Sequence, residues 1–179
     1  MIVSAWFKDV LFNTSPGIEF IAVLPFENLS GDPDQEFNSS LELDSNNSLS
    51  LRCMWSIHSI KGDYDKAIDY ASRFYRSQGN IDMALDLERL YESGDYLTAL
   101  KNTADQSMDH RKVEYIPSMR IARLYTFCGE YDKAIDLQEE AYDERFPSMF
   151  SLNVDPNWDV LKVKPDFQEL VKKMNLPLN

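Results

Sequence analysis

Between residues 44 and 147 the apolar side chains fall at the three-and-four spacing of helix faces, with polar residues filling the positions between. Met83, Leu87, Leu90 and Tyr91 trace one such face; Ile121, Ala122, Tyr125 and Cys128 trace a second, and Ile135, Gln138 and Tyr142 extend a third. Helices of about 12 residues are marginal in water by themselves, so these must gain stability by stacking on one another. The pattern predicts short helices packed side by side.

Glycines punctuate that pattern at near-regular distances. Gly62-Asp-Tyr-Asp-Lys-Ala-Ile-Asp69 and Gly129-Glu-Tyr-Asp-Lys-Ala-Ile-Asp136 differ at one position, and Gly94-Asp-Tyr-Leu-Thr-Ala-Leu-Lys101 between them keeps the Gly, Tyr and Ala. The three glycines lie 32 and 35 residues apart, which predicts one helix-turn-helix unit used three times. Each glycine is expected to end a first helix in the left-handed conformation, where it suffers no Cβ clash. Asp63 and Asp95 follow as expected N-caps, with Glu130 in the third copy. Tyr64, Tyr96 and Tyr131 wedge beside the turns. Ala67, Ala99 and Ala134 let the paired helices approach closely.

These turns resemble tetratricopeptide repeats, whose pattern joins its two helices through Gly-Asp-Tyr-(x)2-Ala-(Ile/Leu). The resemblance covers residues 44–147 and implies an all-α, right-handed superhelix (an α-solenoid) of three helix-turn-helix units. The family prefers a small residue seven positions before the turn glycine; Ala122 complies, whereas Trp55 and Leu87 depart. On the second helix Phe74 and Ala141 match the family, and Gln106 does not, so the middle unit is expected to pack loosely or to mark a bend. Leu41-Glu-Leu-Asp-Ser-Asn-Asn47 is similar to the tail of a preceding repeat.

In this family the first helices line a concave groove that holds an extended peptide or a helix. Carried over by register, the groove positions are Arg52, Ser56, Ser59, Glu88, Tyr91, Glu92, Met119, Arg123 and Phe127. Tyr91, Met119 and Phe127 would be apolar anchors, and Arg52 and Arg123 would clamp a carboxylate or offset nearby acids. The plainer alternative is that Tyr91 and Phe127 complete the core between units.

The two ends differ in kind. Pro156 and Pro165 each open a predicted helix, and Phe167, Leu170, Val171 and Met174 make an apolar stripe, so residues 148–179 are read as helices capping the open end of the array. This tail, with Tyr115-Ile-Pro-Ser118 and Ala141-Tyr-Asp-Glu-Arg145, resembles the end of bacterial signalling proteins in which such repeats follow a class III adenylate cyclase, a protein kinase or a winged-helix DNA-binding domain. That family reads Asp-Pro-Arg-Phe where this chain has Lys164-Pro-Asp-Phe167. Residues 1–43 are read as a partly disordered arm. Within it, Ile21-Ala-Val-Leu-Pro25 resembles a strand that opens a small α/β domain in the same proteins, giving an expected remnant strand at 20–26 in a shortened relative of that family.

Composition narrows the function. The net charge of −12 over 179 residues repels polyanions, so nucleic acid is not an expected partner. Cys53 and Cys128 lie far apart without ligand-like histidine spacing, which predicts reduced thiols and no zinc site. The apolar opening carries Lys8 and Asp9 in mid-stretch and makes a poor leader. No run reaches the ~18 apolar residues of a membrane span; a cytoplasmic location is expected. His58 is read as a packed or half-exposed helix residue, His110 as part of a polar loop, and Asp32-Pro-Asp34-Gln-Glu36 as a polar turn rather than a calcium loop. Neither a phosphate-cradling glycine loop nor a Gly-x-Ser-x-Gly elbow occurs. The chain is read as a non-enzyme without cofactor or metal.

Three functions fit. The first is a non-catalytic adaptor or scaffold that binds a protein or peptide in its groove. The second is a regulatory module working with a bacterial cyclase, kinase or transcription regulator. The third is a structural remnant without a partner. The exposed ends of such an array leave self-association open.

Overall fold

The computed structural model describes residues 33–176. The expected strand at 20–26, and the arm through residue 32, lie outside them. The described chain is all-α, with no strand among its residues. Its α-helices are α1 (Pro33–Leu43), α2 (Ser48–Lys61), α3 (Tyr64–Ser77), α4 (Ile81–Ser93), α5 (Tyr96–His110), α6 (Ser118–Phe127), α7 (Tyr131–Asp143) and α8 (Pro165–Lys173). Two 3₁₀ segments, Pro147–Ser151 and Pro156–Leu161, precede α8. Consecutive α-helices from α1 to α7 pack on one another; α6 also meets Pro156–Leu161, and α7 meets α8.

The end of the expected arm is helical. Of the predicted polar turn at 32–36, residues 33–36 instead start α1, where Pro33 supplies a backbone angle already suited to a first helical turn. Phe37 and Leu41, one turn apart, bring α1 onto the core. Asn47 then starts α2, its side chain accepting from the Ser50 N–H at 3.0 Å.

Gly62 and Gly129 occupy the left-handed region at φ 75° and 83°, as expected. Each turn closes with two hydrogen bonds: Gly62 N–H to Ser59 O and Asp63 N–H to His58 O in one, Gly129 N–H to Thr126 O and Glu130 N–H to Tyr125 O in the other. The middle turn departs from the prediction. Gly94 has φ −148°, and its N–H reaches Tyr91 O at 3.4 Å. The caps differ as well. Asp95 accepts from the backbone N–H of Thr98 at 3.0 Å, whereas the Asp63 and Glu130 side chains make no cap bond. Asp63 faces Lys66 at 3.1 Å and His58 at 3.3 Å. Glu130 pairs with Lys101 of α5 at 3.0 Å.

Ala67, Ala99 and Ala134 are fully buried, and at each of these positions a methyl side chain lets neighbouring helices close. Trp55, at the position where a small residue was expected, is also buried. Its ring contacts Phe74 and Tyr75 of α3 and Phe127 of α6, and its Nε1–H donates to Tyr96 Oη at 3.0 Å. One side chain thus ties the first helical hairpin to the second and the third. Tyr96 is buried beneath Tyr64, the two rings stacked at 4.4 Å. Gln106, the polar departure on α5, is half-buried and donates to Asp86 of α4 at 3.2 Å.

At the C-terminal end Phe167, Leu170 and Val171 are buried. Asp155–Leu161, expected as α-helix, forms a 3₁₀ segment whose Trp158 and Leu161 enter the core. The tighter 3₁₀ turn is common in short connecting pieces of this kind. His110 lies in the last turn of α5 rather than in a loop.

Candidate functional site

The sequence places arginines on α2 and α6 at positions one turn apart or less from buried anchors, and in the fold both helices contribute to one cleft. Leu51, Met54 and Trp55 bury the inner face of α2, leaving Arg52 exposed beside them. On α6, Ile121, Ala122, Leu124 and Tyr125 are buried, and Arg120 and Arg123 project from one face, three residues apart. Where the two helices meet the end of α3 they enclose a cleft of about 220 Å³. Arg52, Arg120 and Arg123 line it together with Phe74, Met119 and Phe146.

Arg123 is the deepest of the three. Its side chain keeps 15% exposure, and its Nη2 lies 3.8 Å from Asp155 Oδ2. The guanidinium sits 5.5 Å from the centre of the Trp158 ring, and its Nε is buried without a hydrogen-bond partner. Burial, then the neighbouring charge of Arg52, push the Arg123 pKa down to about 10; it stays charged at neutral pH. Arg120 lies over the Phe74 ring at 5.8 Å. Burial raises the half-buried Cys53 thiol beside them, which opposes thiolate formation.

The nine groove positions predicted by register separate into groups. Arg52 and Glu92 are exposed. Ser56 and Met119 are buried; Met119 still forms part of the cleft wall, whereas Ser56 does not. Ser59 is satisfied internally, bonding Trp55 O at 2.7 Å and Tyr96 Oη at 2.5 Å. Glu88 accepts from Ser72 and pairs with Arg76 at 2.8 Å, and these contacts hold its carboxyl below the usual range. Tyr91 donates to Asp65 at 2.7 Å. Phe127 packs on Trp55, and both it and Tyr91 lie partly buried against the core. Arg52, Met119 and Arg123 meet at the cleft; Glu88, Tyr91 and Glu92 do not line it.

Sequence reasoning missed Arg120, Phe74, Asp155 and Trp158 as parts of this site. The i, i+3 spacing of Arg120 and Arg123 was a readable signal. The others come from separate elements and had none.

No protein-family profile, curated protein or solved structure matches the chain. Among the described residues no helix is long and apolar enough to cross a membrane. Nor do three or more His, Cys, Asp or Glu side chains gather among them as metal ligands would.

Proposed function

We propose that the protein is a non-catalytic adaptor of the tetratricopeptide-repeat kind, a short right-handed solenoid that binds a partner protein through the arginine-lined cleft between α2 and α6. The repeat reading is supported by the Gly-Asp/Glu-Tyr turns, the buried alanine after each of them, and the packing of every helix on the next. The observation that carries the functional reading is the cleft itself. In a chain with 30 acidic and 18 basic residues, three arginines converge there, and among the described residues only Asp155 approaches them as an ion-pair partner. By contrast Arg73, Arg76, Arg89 and Arg111 each meet a carboxylate elsewhere on the surface. Unneutralised cations beside apolar Phe74, Met119 and Phe146 suit recognition of an acidic partner.

The test is affinity purification from source cells with the intact chain and with Arg52→Glu/Arg120→Glu. Arg123 and Phe127 are left in place because both support packing. The reading expects one set of proteins retained by the intact chain and lost with the variant, while helical content and melting temperature hold. Equal recovery by both would reject the cleft as the binding surface.

A further inference from the structure

The cleft's charge arithmetic says more about its occupant. Arg52, Arg120 and Arg123 contribute three positive charges, and Asp155 returns one negative charge at 3.8 Å from Arg123. Two positive charges remain, and a single Asp, Glu or chain-terminal carboxylate would neutralise one of them. A phosphate monoester carries a charge of about −1.5 to −2 near neutral pH and presents three acceptor oxygens, which matches both the residual charge and the forked guanidinium donors. Arg123 lines the cleft with a side chain that keeps 15% exposure, so its guanidinium stands at the inner wall.

Volume and lining add the rest. At about 220 Å³ the cleft is below the ~300–1,000 Å³ of pockets that enclose whole small ligands, so it fits one side chain better than a cofactor. Phe74, Met119 and Phe146 line it, so the ester needs an apolar body. We infer that the cleft binds a phosphorylated side chain of the partner protein, with the phosphoryl group held by Arg52, Arg120 and Arg123 and the carbon body against Phe74 and Phe146. This rests on the cleft being the adaptor's binding surface.

Calorimetric titration of the full chain with N-acetyl-phosphotyrosine amide, N-acetyl-glutamate amide, inorganic phosphate and glucose 6-phosphate tests it. The phosphotyrosine probe is expected to bind at least tenfold more tightly than the other three and to lose at least tenfold with Arg52→Gln/Arg120→Gln. Equal binding of the glutamate probe would show a carboxylate site, equal binding of inorganic phosphate a bare-ion site, and equal binding of glucose 6-phosphate a metabolite site. Each of these, or no binding of the phosphotyrosine probe, overturns the inference. Treating the cell lysate with phosphatase before purification separates the two readings. Partners that survive phosphatase yet disappear with Arg52→Glu/Arg120→Glu leave the adaptor standing and remove the phosphate.

Discussion

The outer hairpins and the middle one were built on the same turn motif and solved it differently. Around Gly62 and Gly129 the chain takes a left-handed residue, two closing hydrogen bonds and no side-chain cap. Around Gly94 it takes no left-handed residue and relies on Asp95, which caps α5 through the Thr98 N–H. The outer tyrosines, Tyr64 and Tyr131, stay exposed or half-exposed, whereas Tyr96 is buried and bonded to both Trp55 and Ser59. Equivalent sequence therefore does not guarantee equivalent local structure. A bulky Trp55 beneath the middle turn leaves Tyr96 a polar partner in the interior and draws it inward.

The hardest blow to this arrangement is Trp55→Ala. It removes the ring that joins all three hairpins, and it should cost about 3–5 kcal/mol, read from urea unfolding. A loss below 1 kcal/mol would show that the hairpins are not linked through this side chain.

Alkaline titration comes next. Burial raises the Tyr96 pKa to about 12, with the bonds to Ser59 and Trp55 opposing that rise, while an unfolded tyrosine titrates near 10. Between these values the folded state holds a proton that the unfolded state has released, so stability falls as pH rises from about 10 to about 12. The Tyr96 share of the loss is on the order of 2 kcal/mol, and Tyr96→Phe should make this limb shallower by that share, while Tyr75 and Tyr125, also raised by burial, keep theirs.

Gly62→Ala and Gly129→Ala should each cost about 1–2 kcal/mol, because alanine is forced into the left-handed region. Asparagine tolerates that region, so Gly62→Asn should be milder. At Gly94 the obstacle is different: a Cβ would stand 3.1 Å from the Leu90 carbonyl oxygen. Asparagine should therefore give no relief over alanine there. Thermal melts of the five variants decide it.

In α7 of the third hairpin, Gln138 is buried with both amide atoms unpartnered. Gln138→Met should stabilise the fold by about 1 kcal/mol, through removal of an unmet hydrogen-bonding group. The smallest contrast lies between caps. Asp95→Ala should lose about 1 kcal/mol, the usual worth of a side-chain N-cap. Asp63→Ala should lose less, since its ion pair with Lys66 is a surface contact. Chemical denaturation of the pair gives the order directly.

Much of this architecture was legible beforehand. The three-and-four spacing and the glycine interval located α2 to α7, and the Phe167, Leu170, Val171 stripe located α8. Local patterns carry such information because a helix and its turn are decided by neighbours within a few residues. The site was less legible. Arg52, Met119 and Arg123 were singled out and line the cleft, but the register that named them also named Ser56, which is buried, and Ser59, which is used internally.

What the sequence determined by itself is helices α2 to α8, their order, and the small residues on which they close. What only the tertiary structure decided is which faces remained open. Arg52 on α2 and Arg120 and Arg123 on α6 lie far apart in the sequence and line one cleft, and Asp155, before the second 3₁₀ segment, reaches Arg123 from a further element. The angle between packed helices follows from the volumes of side chains such as Trp55 and Phe127 meeting across the interface, a quantity that no periodicity along a single chain records.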